Sequence, residues 1–251
     1  MSKKRIKLMN VSIDNLTMTE AIEEINELIL DGSYHFVVTP NVDHIVKLEK
    51  DIELRKVYEN ADLILTDGMP LIWISKLYRT PIVERVAGSD LFPNVCELAA
   101  KKHYKVFLLG AKEGVAAKAA INLQRKYPGL DVVGTFSPKF GFHKDKNAVN
   151  KIIEMINIAK PDILAVGLGA PKQEKFIFNY KNQLKVPISL AIGASIDFEA
   201  GNVKRAPKWM RNMGLEWFYR LLMEPRRMYK RYLSDGAYIF SIFFKYLHCN
   251  K

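Results

Sequence analysis

A chain of 251 residues with 49% hydrophobic composition can bury one full-sized core and a small appendage, which excludes two independent domains. Its formal charge of +11 calls for an anionic partner, whether nucleic acid, a membrane surface or a phosphorylated substrate. The two cysteines, Cys96 and Cys249, give neither a disulfide framework nor a zinc-ligand spacing and are expected to be free thiols.

Met1 to Asp14 is basic without the apolar stretch of an export signal, so the chain is expected to stay in the cytosol. Thr17 and Glu20 have capping-box spacing, and Ala21, Ile22, Ile25, Leu28 and Ile29 recur on one helical face until Gly32. Short apolar, β-branched runs then alternate with helix-like stretches: His35 to Thr39, Asp62 to Thr66, Lys105 to Leu109, Asp131 to Phe136, Asp162 to Val166 and Ile188 to Ile192. Such alternation predicts an α/β fold, a mostly parallel Rossmann-like sheet with helices on both faces. Ligands of open sheets of this kind bind at the carboxyl ends of the strands, so the residues that follow each run are the informative ones.

The first run ends in Thr39-Pro40-Asn41-Val42-Asp43, small polar groups suited either to hydrogen-bonding a ligand or to capping the next helix. The second ends in Thr66-Asp67-Gly68-Met69-Pro70. There Asp67 could serve as a general base, because a partly desolvated site raises a carboxyl pKa toward the operating range, or could cap the helix that follows. Arg85 precedes a helix start at Ser89 or Asp90, a pairing of guanidinium fork and helix amides that suits a diphosphate; its simpler role is an ion pair with Glu84 or Asp90. Leu109 to Gly114 and Val166 to Gln173 are glycine-containing turns that let backbone approach a nucleotide, without a full dinucleotide or phosphate-loop fingerprint. There is no D-x-D pair and no H-E-x-x-H, and the five histidines are scattered, so no metal site is expected.

Composition changes at about residue 204. Between Lys204 and Arg231 nine basic residues face only Glu216 and Glu224, interleaved with Trp209, Trp217, Phe218, Tyr219 and Tyr229. Tyr238 to Leu247 follows as an aromatic and apolar stretch. A charge-free run of nine residues, Gly236 to Phe244, is far short of the roughly 18 to 20 needed to span a bilayer, so any membrane contact is peripheral. Residues 1–203 are therefore read as a catalytic α/β domain and 204–251 as a helical basic tail that favours an anionic membrane surface. Nucleic-acid binding is the rival reading of the charge, and no recognisable binding motif supports it. The apolar tail would equally suit self-association into a homo-oligomer.

Taken together and in order, Thr39-Pro40-Asn41-Val42-Asp43, Ala61-Asp62-Leu63 through Pro70, Arg85 to Asp90, Gly167 to Glu174, and Arg205-Ala206-Pro207 through Glu216-Trp217 resemble the WecG/TagA/CpsF family of glycosyltransferases. The resemblance runs from about residue 10 to about residue 232. It implies transfer of an N-acetylmannosamine-type sugar from its UDP donor to polyprenyl-diphosphate-linked N-acetylglucosamine, with inversion and without a metal or other cofactor. It also implies a place in teichoic-acid linkage-unit synthesis at the inner membrane face; an N-acetylmannosamine uronic acid or another hexose would serve a capsule or exopolysaccharide instead. By the same resemblance Asp67 is the general base, Thr39, Asn41, Arg85 and Gln173 belong to the pocket, and Arg220 and Arg227 close over the donor diphosphate. Either Lys230 or Arg231 matches a further family arginine.

Overall fold

The computed structural model describes residues 5–223, 225, 236 and 238–247. It opens with a hairpin, β1 (Arg5–Leu8) and β2 (Val11–Asp14), paired antiparallel. α1 (Met18–Leu30) then starts with the reciprocal cap that its sequence predicts: Thr17 accepts from Glu20 N, and the Glu20 carboxyl takes the Thr17 N–H at 2.7 Å.

All six predicted strands form: β3 (His35–Val38), β4 (Leu63–Ile64), β5 (Lys105–Gly110), β6 (Asp131–Phe136), β7 (Ile163–Gly167) and β8 (Ile188–Ala191). They make one parallel sheet in the order β4-β3-β8-β7-β5-β6. Their near-continuous apolar sequences reflect burial on both faces. Phe36, Val38, Phe107, Leu109, Leu164 and Val166 enter one core, while Val37, Val106, Leu108, Ile163, Ala165 and Leu190 enter the other.

The first core is closed by α2 (Val42–Lys50), α3 (Ile52–Glu59), α4 (Met69–Leu77), α7 (Lys146–Ala159), α8 (Lys172–Leu184) and the hairpin. The second is closed by α1, α5 (Gly88–Lys102), α6 (Val115–Lys126) and α9 (Ser195–Glu199). Across the middle of the sheet, β3 and β7 therefore send the chain to one face and β8 and β5 to the other. Alternation of this kind opens a crevice beyond the strand ends.

The ends of β5, β7 and β8 approach so closely that only glycine fits. A Cβ on Gly110, whose φ is +130°, would lie 2.3 Å from Gly167 O, and one on Gly167 would lie 2.7 Å from Gly193 O. The sequence places these glycines in turns that let backbone approach a nucleotide; in the structure they also let backbone approach backbone. Gly110→Ala is expected to lower unfolding free energy by at least roughly 1–3 kcal/mol, the cost of one strained residue, measured by chemical denaturation.

Beyond β8, α10 (Lys208–Asn212) and α11 (Glu216–Met223) follow. The helical segment 238–247 returns to the α/β body. Ile242 is buried in the first core with Ile239 and Tyr246 packed beside it, and the Tyr78 hydroxyl donates to Phe243 O at 2.6 Å. Lys245 pairs with Glu49 at 2.7 Å.

Candidate active site

Thr39, Asn41 and Asp67 stand together at the carboxyl ends of β3 and β4. Thr39 is buried and donates to Ala191 O at 3.3 Å, tying β3 to β8. The helix-capping role falls to Asn41, whose Oδ1 accepts from Asp43 N at 3.1 Å. Asp67 N donates to Pro40 O at 2.8 Å, and an added Gly68 Cβ would sit 3.8 Å from Asn41 Cβ, so the two loops are in contact. The residue before α4 is Gly68, at φ +107°, and that helix start has no side-chain cap hydrogen bond among the described residues, which disfavours the capping role for Asp67.

Gln173, in the first turn of α8, reaches across to the same end of the sheet. Its Oε1 accepts from Gly169 N at 3.1 Å and Gly193 N at 3.2 Å, joining the loops after β7 and β8. Its amide donates to Glu174 at 2.9 Å, and Glu174 meets His44 of α2 at 3.2 Å. Tyr58 lies under this group. Burial first, then the negative charges of Glu174, Asp43 and Asp67, push its hydroxyl well above the ordinary phenol range, so it stays protonated.

Arg85 joins a different constellation at the start of α5. Its guanidinium meets Asp90 at 2.8 Å and Glu216 at 3.3 Å, while Glu84 instead accepts from Met18 N. Arg205 contacts Asp90 at 3.0 Å and the Ser89 hydroxyl at 2.9 Å, and Arg211 reaches Asp90 at 3.3 Å. Three guanidinium groups thus surround two carboxylates, leaving a surplus of positive charge beside the amides of a helix N-terminus, where anions are favoured. Sequence reasoning placed Arg205 in the Arg205-Ala206-Pro207 motif and counted Arg211 as tail charge, without joining either to Asp90. Their partner Asp90 lies more than a hundred positions away, so no local signal could have joined them.

Between these groups and the β6 side of the sheet lies a cleft of about 950 Å³. Gly167, Leu168 and Ala194 form its base; Ser137 to Phe142, Val203 to Ala206, Glu216 and Tyr219 form its walls. Lys112, Lys139, Lys172, Lys204 and Arg205 outnumber Glu113, Asp197 and Glu216 on its surface, which favours an anionic ligand. Its volume is at the upper end for small-molecule sites, about 300–1,000 Å³. Asp67, Asn41 and Thr39 do not line it. They stand on the β4-β3 side, with β8 between.

Arg220 falls within α11. Arg227, Lys230, Arg231 and Cys249 lie outside the described residues, and Cys96 is a buried free thiol. Among the described residues no cluster of three or more His, Cys, Asp or Glu side chains could hold a metal ion. No helix among them is long and apolar enough to cross a membrane.

The profile of the Glycosyl transferase WecG/TagA/CpsF family matches residues 6–251. The chain belongs to this family. Among relatives of the WecG/TagA/CpsF protein described here, one from Bacillus subtilis (strain 168) is 34% identical over 234 residues, 93% of this chain and 89% of its own. One from Bacillus spizizenii is 34% identical over 82% of this chain and 78% of its own. One from Staphylococcus aureus (strain MW2) is 30% identical over 89% and 87% respectively. Each carries the name N-acetylglucosaminyldiphosphoundecaprenol N-acetyl-beta-D-mannosaminyltransferase. As a member of the WecG/TagA/CpsF family the protein is a glycosyltransferase, and its α/β sheet with a helical C-terminal part agrees with the fold that its sequence predicts.

Proposed function

We propose that the protein transfers N-acetylmannosamine from UDP-N-acetylmannosamine to undecaprenyl-diphosphate-linked N-acetylglucosamine, by in-line displacement with inversion and without a metal. The observation that carries the substrate assignment is the 34% identity, over nearly the whole length of both chains, to the Bacillus subtilis protein of that name. The site's layout is compatible with the chemistry. The basic cleft over β8-β7-β5-β6 would take the nucleoside diphosphate, and Asp67, beyond β8, would take the proton from the acceptor hydroxyl. Arg85, joined by Arg220 and Arg227, would meet the charge on the leaving diphosphate, with Thr39, Asn41 and Gln173 orienting the sugars.

A UDP-release assay across candidate UDP-sugars, with a soluble lipid-linked N-acetylglucosamine diphosphate analogue and EDTA present, tests this reading. Release with UDP-N-acetylmannosamine is the expected result. Preference for a uronic-acid donor would overturn the sugar assignment, release only on adding a divalent metal would overturn the electrostatic one, and no release with any donor would overturn the whole.

A lipid-linked acceptor would put the reaction at a membrane surface, and segment 238–247 offers a face for it. Ile239, Ile242 and Tyr246 point to the protein, while Phe240 and Phe244 on the opposite side are 67% and 54% exposed. Removing the whole segment would open the first core, so point substitutions are the cleaner probe. Phe240→Ser with Phe244→Ser is expected to weaken cosedimentation with anionic vesicles about tenfold or more, given roughly 1.5–3 kcal/mol per fully buried large apolar side chain. Turnover of a soluble acceptor should be retained.

A further inference from the structure

Beneath the residues assigned to substrate, His44 and Glu174 are 6% and 1% exposed and touch neither the cleft nor solvent to any extent. One carboxyl oxygen, Glu174 Oε1, meets both Gln173 Nε2 at 2.9 Å and His44 Nε2 at 3.2 Å. On its other side the imidazole Nδ1 stands 2.9 Å from Asn41 Oδ1 and 3.3 Å from Asn41 N, donating to the one or accepting from the other according to its tautomer. Gln173 Oε1 in turn holds the Gly169 and Gly193 amides. A single buried oxygen therefore links the loops after β3, β7 and β8. The second Gln173 N–H and the Asn41 Nδ2 amide have no partner among the described residues. The network fixes both carbonyl oxygens and so sets which way the two amide groups face.

The arrangement is a poor way to hold α2 against α8. Burying an imidazole and a carboxyl costs more than burying an apolar pair of the same size, and such a replacement is often neutral or stabilising. Glu174 Oε2 and the Tyr58 hydroxyl, both buried, have no hydrogen-bond partner among the described residues, so the group is not even fully satisfied. What it supplies is registry between two amides on different strand ends.

We propose that His44 and Glu174 are positioning residues for glycosyl transfer: Glu174 orients the Gln173 amide directly and the Asn41 amide through His44. The inference rests on the proposed function, in which Asn41 and Gln173 contact substrate.

The test is a double-mutant cycle on turnover, read beside an activity-independent signal. Glu174→Ala is expected to lower kcat about 100-fold, the scale of a misplaced reacting group, with the donor KM changed less. Glu174→Gln keeps a carbonyl oxygen able to accept both hydrogen bonds and should recover most of the rate. In a Gln173→Ala background, Glu174→Ala should cost far less than it does alone, because the two act as a unit. Side-chain amide NMR resonances of both Asn41 and Gln173 should shift together in Glu174→Ala. Full additivity, near-normal turnover of Glu174→Ala, or an unmoved Asn41 resonance would overturn the proposal. If Glu174→Ala does not fold, as judged by thermal melting, His44→Gln paired with Asn41→Ala is read by the same criteria. If the wild type turns over no donor, the functional reading has failed, and the paired resonance shift alone decides the positioning claim.

Discussion

Asp67→Asn is expected to lower kcat by about 10²–10⁴-fold, the range that a positioned general base contributes. The substitution is nearly isosteric, and it leaves alone main-chain features that help to set the loop. These are the Asp67 N to Pro40 O hydrogen bond and the positive φ of Gly68. Since α4 has no side-chain cap hydrogen bond among the described residues, helix stability should not change through loss of a cap. Steady-state kinetics on the purified variant, with melting curves to show that it folds, separate catalysis from structure. A variant with near-normal rates would remove Asp67 from the mechanism.

Arg85→Ala should cost about 10²–10³-fold in kcat, as loss of one preorganised donor to developing transition-state charge does. Its guanidinium already bridges Asp90 and Glu216, so a diphosphate would replace or share these carboxylates as partners of the Arg85 and Arg205 pair. Arg85→Lys keeps the charge and loses the planar fork, and is expected to recover only a part of the lost rate. If Arg85 served only to hold α11 to α5, the alanine variant would melt earlier yet leave kcat at saturating donor little changed. That outcome would assign it to structure.

The sheet was legible because each of its strands is an apolar run closed by turn residues, and α1 because Thr17 and Glu20 mark its start. The hairpin at residues 5–14 was not. Its strands are four residues each, the first is rich in Lys and Arg, and its turn lacks the usual glycine, placing Met9 at φ +54° and fully buried. What fixes it is tertiary: the Arg5 guanidinium spans Asp14 and Ala61 O, and Asp14 accepts from Ile64 N. Long-range partners of that kind leave no periodic trace.

The site divides in the same way. Thr39, Asn41 and Asp67 stand out by their positions at strand ends, whereas Gln173 is singled out by the family resemblance. His44 and Glu174 were passed over although each is a polar residue on the buried side of a helix that otherwise presents Ile45, Leu48, Phe176 and Ile177 to the core. An isolated polar position of that sort was the available signal, and it gains meaning only when α2 and α8 are seen to share a face.

The glycine contacts at the ends of β5 and β7 bear on how donor preference could change. Gly167 at the base of the cleft excludes a Cβ, so under the proposed donor site that part of the surface is main chain, set by the sheet rather than by side-chain identity. Under the proposed function, discrimination between sugars falls to the walls, at residues 137–142 and 203–206, where side chains can be exchanged without moving a strand. A laboratory lineage selected for another hexose should accumulate its substitutions there and keep both glycines throughout.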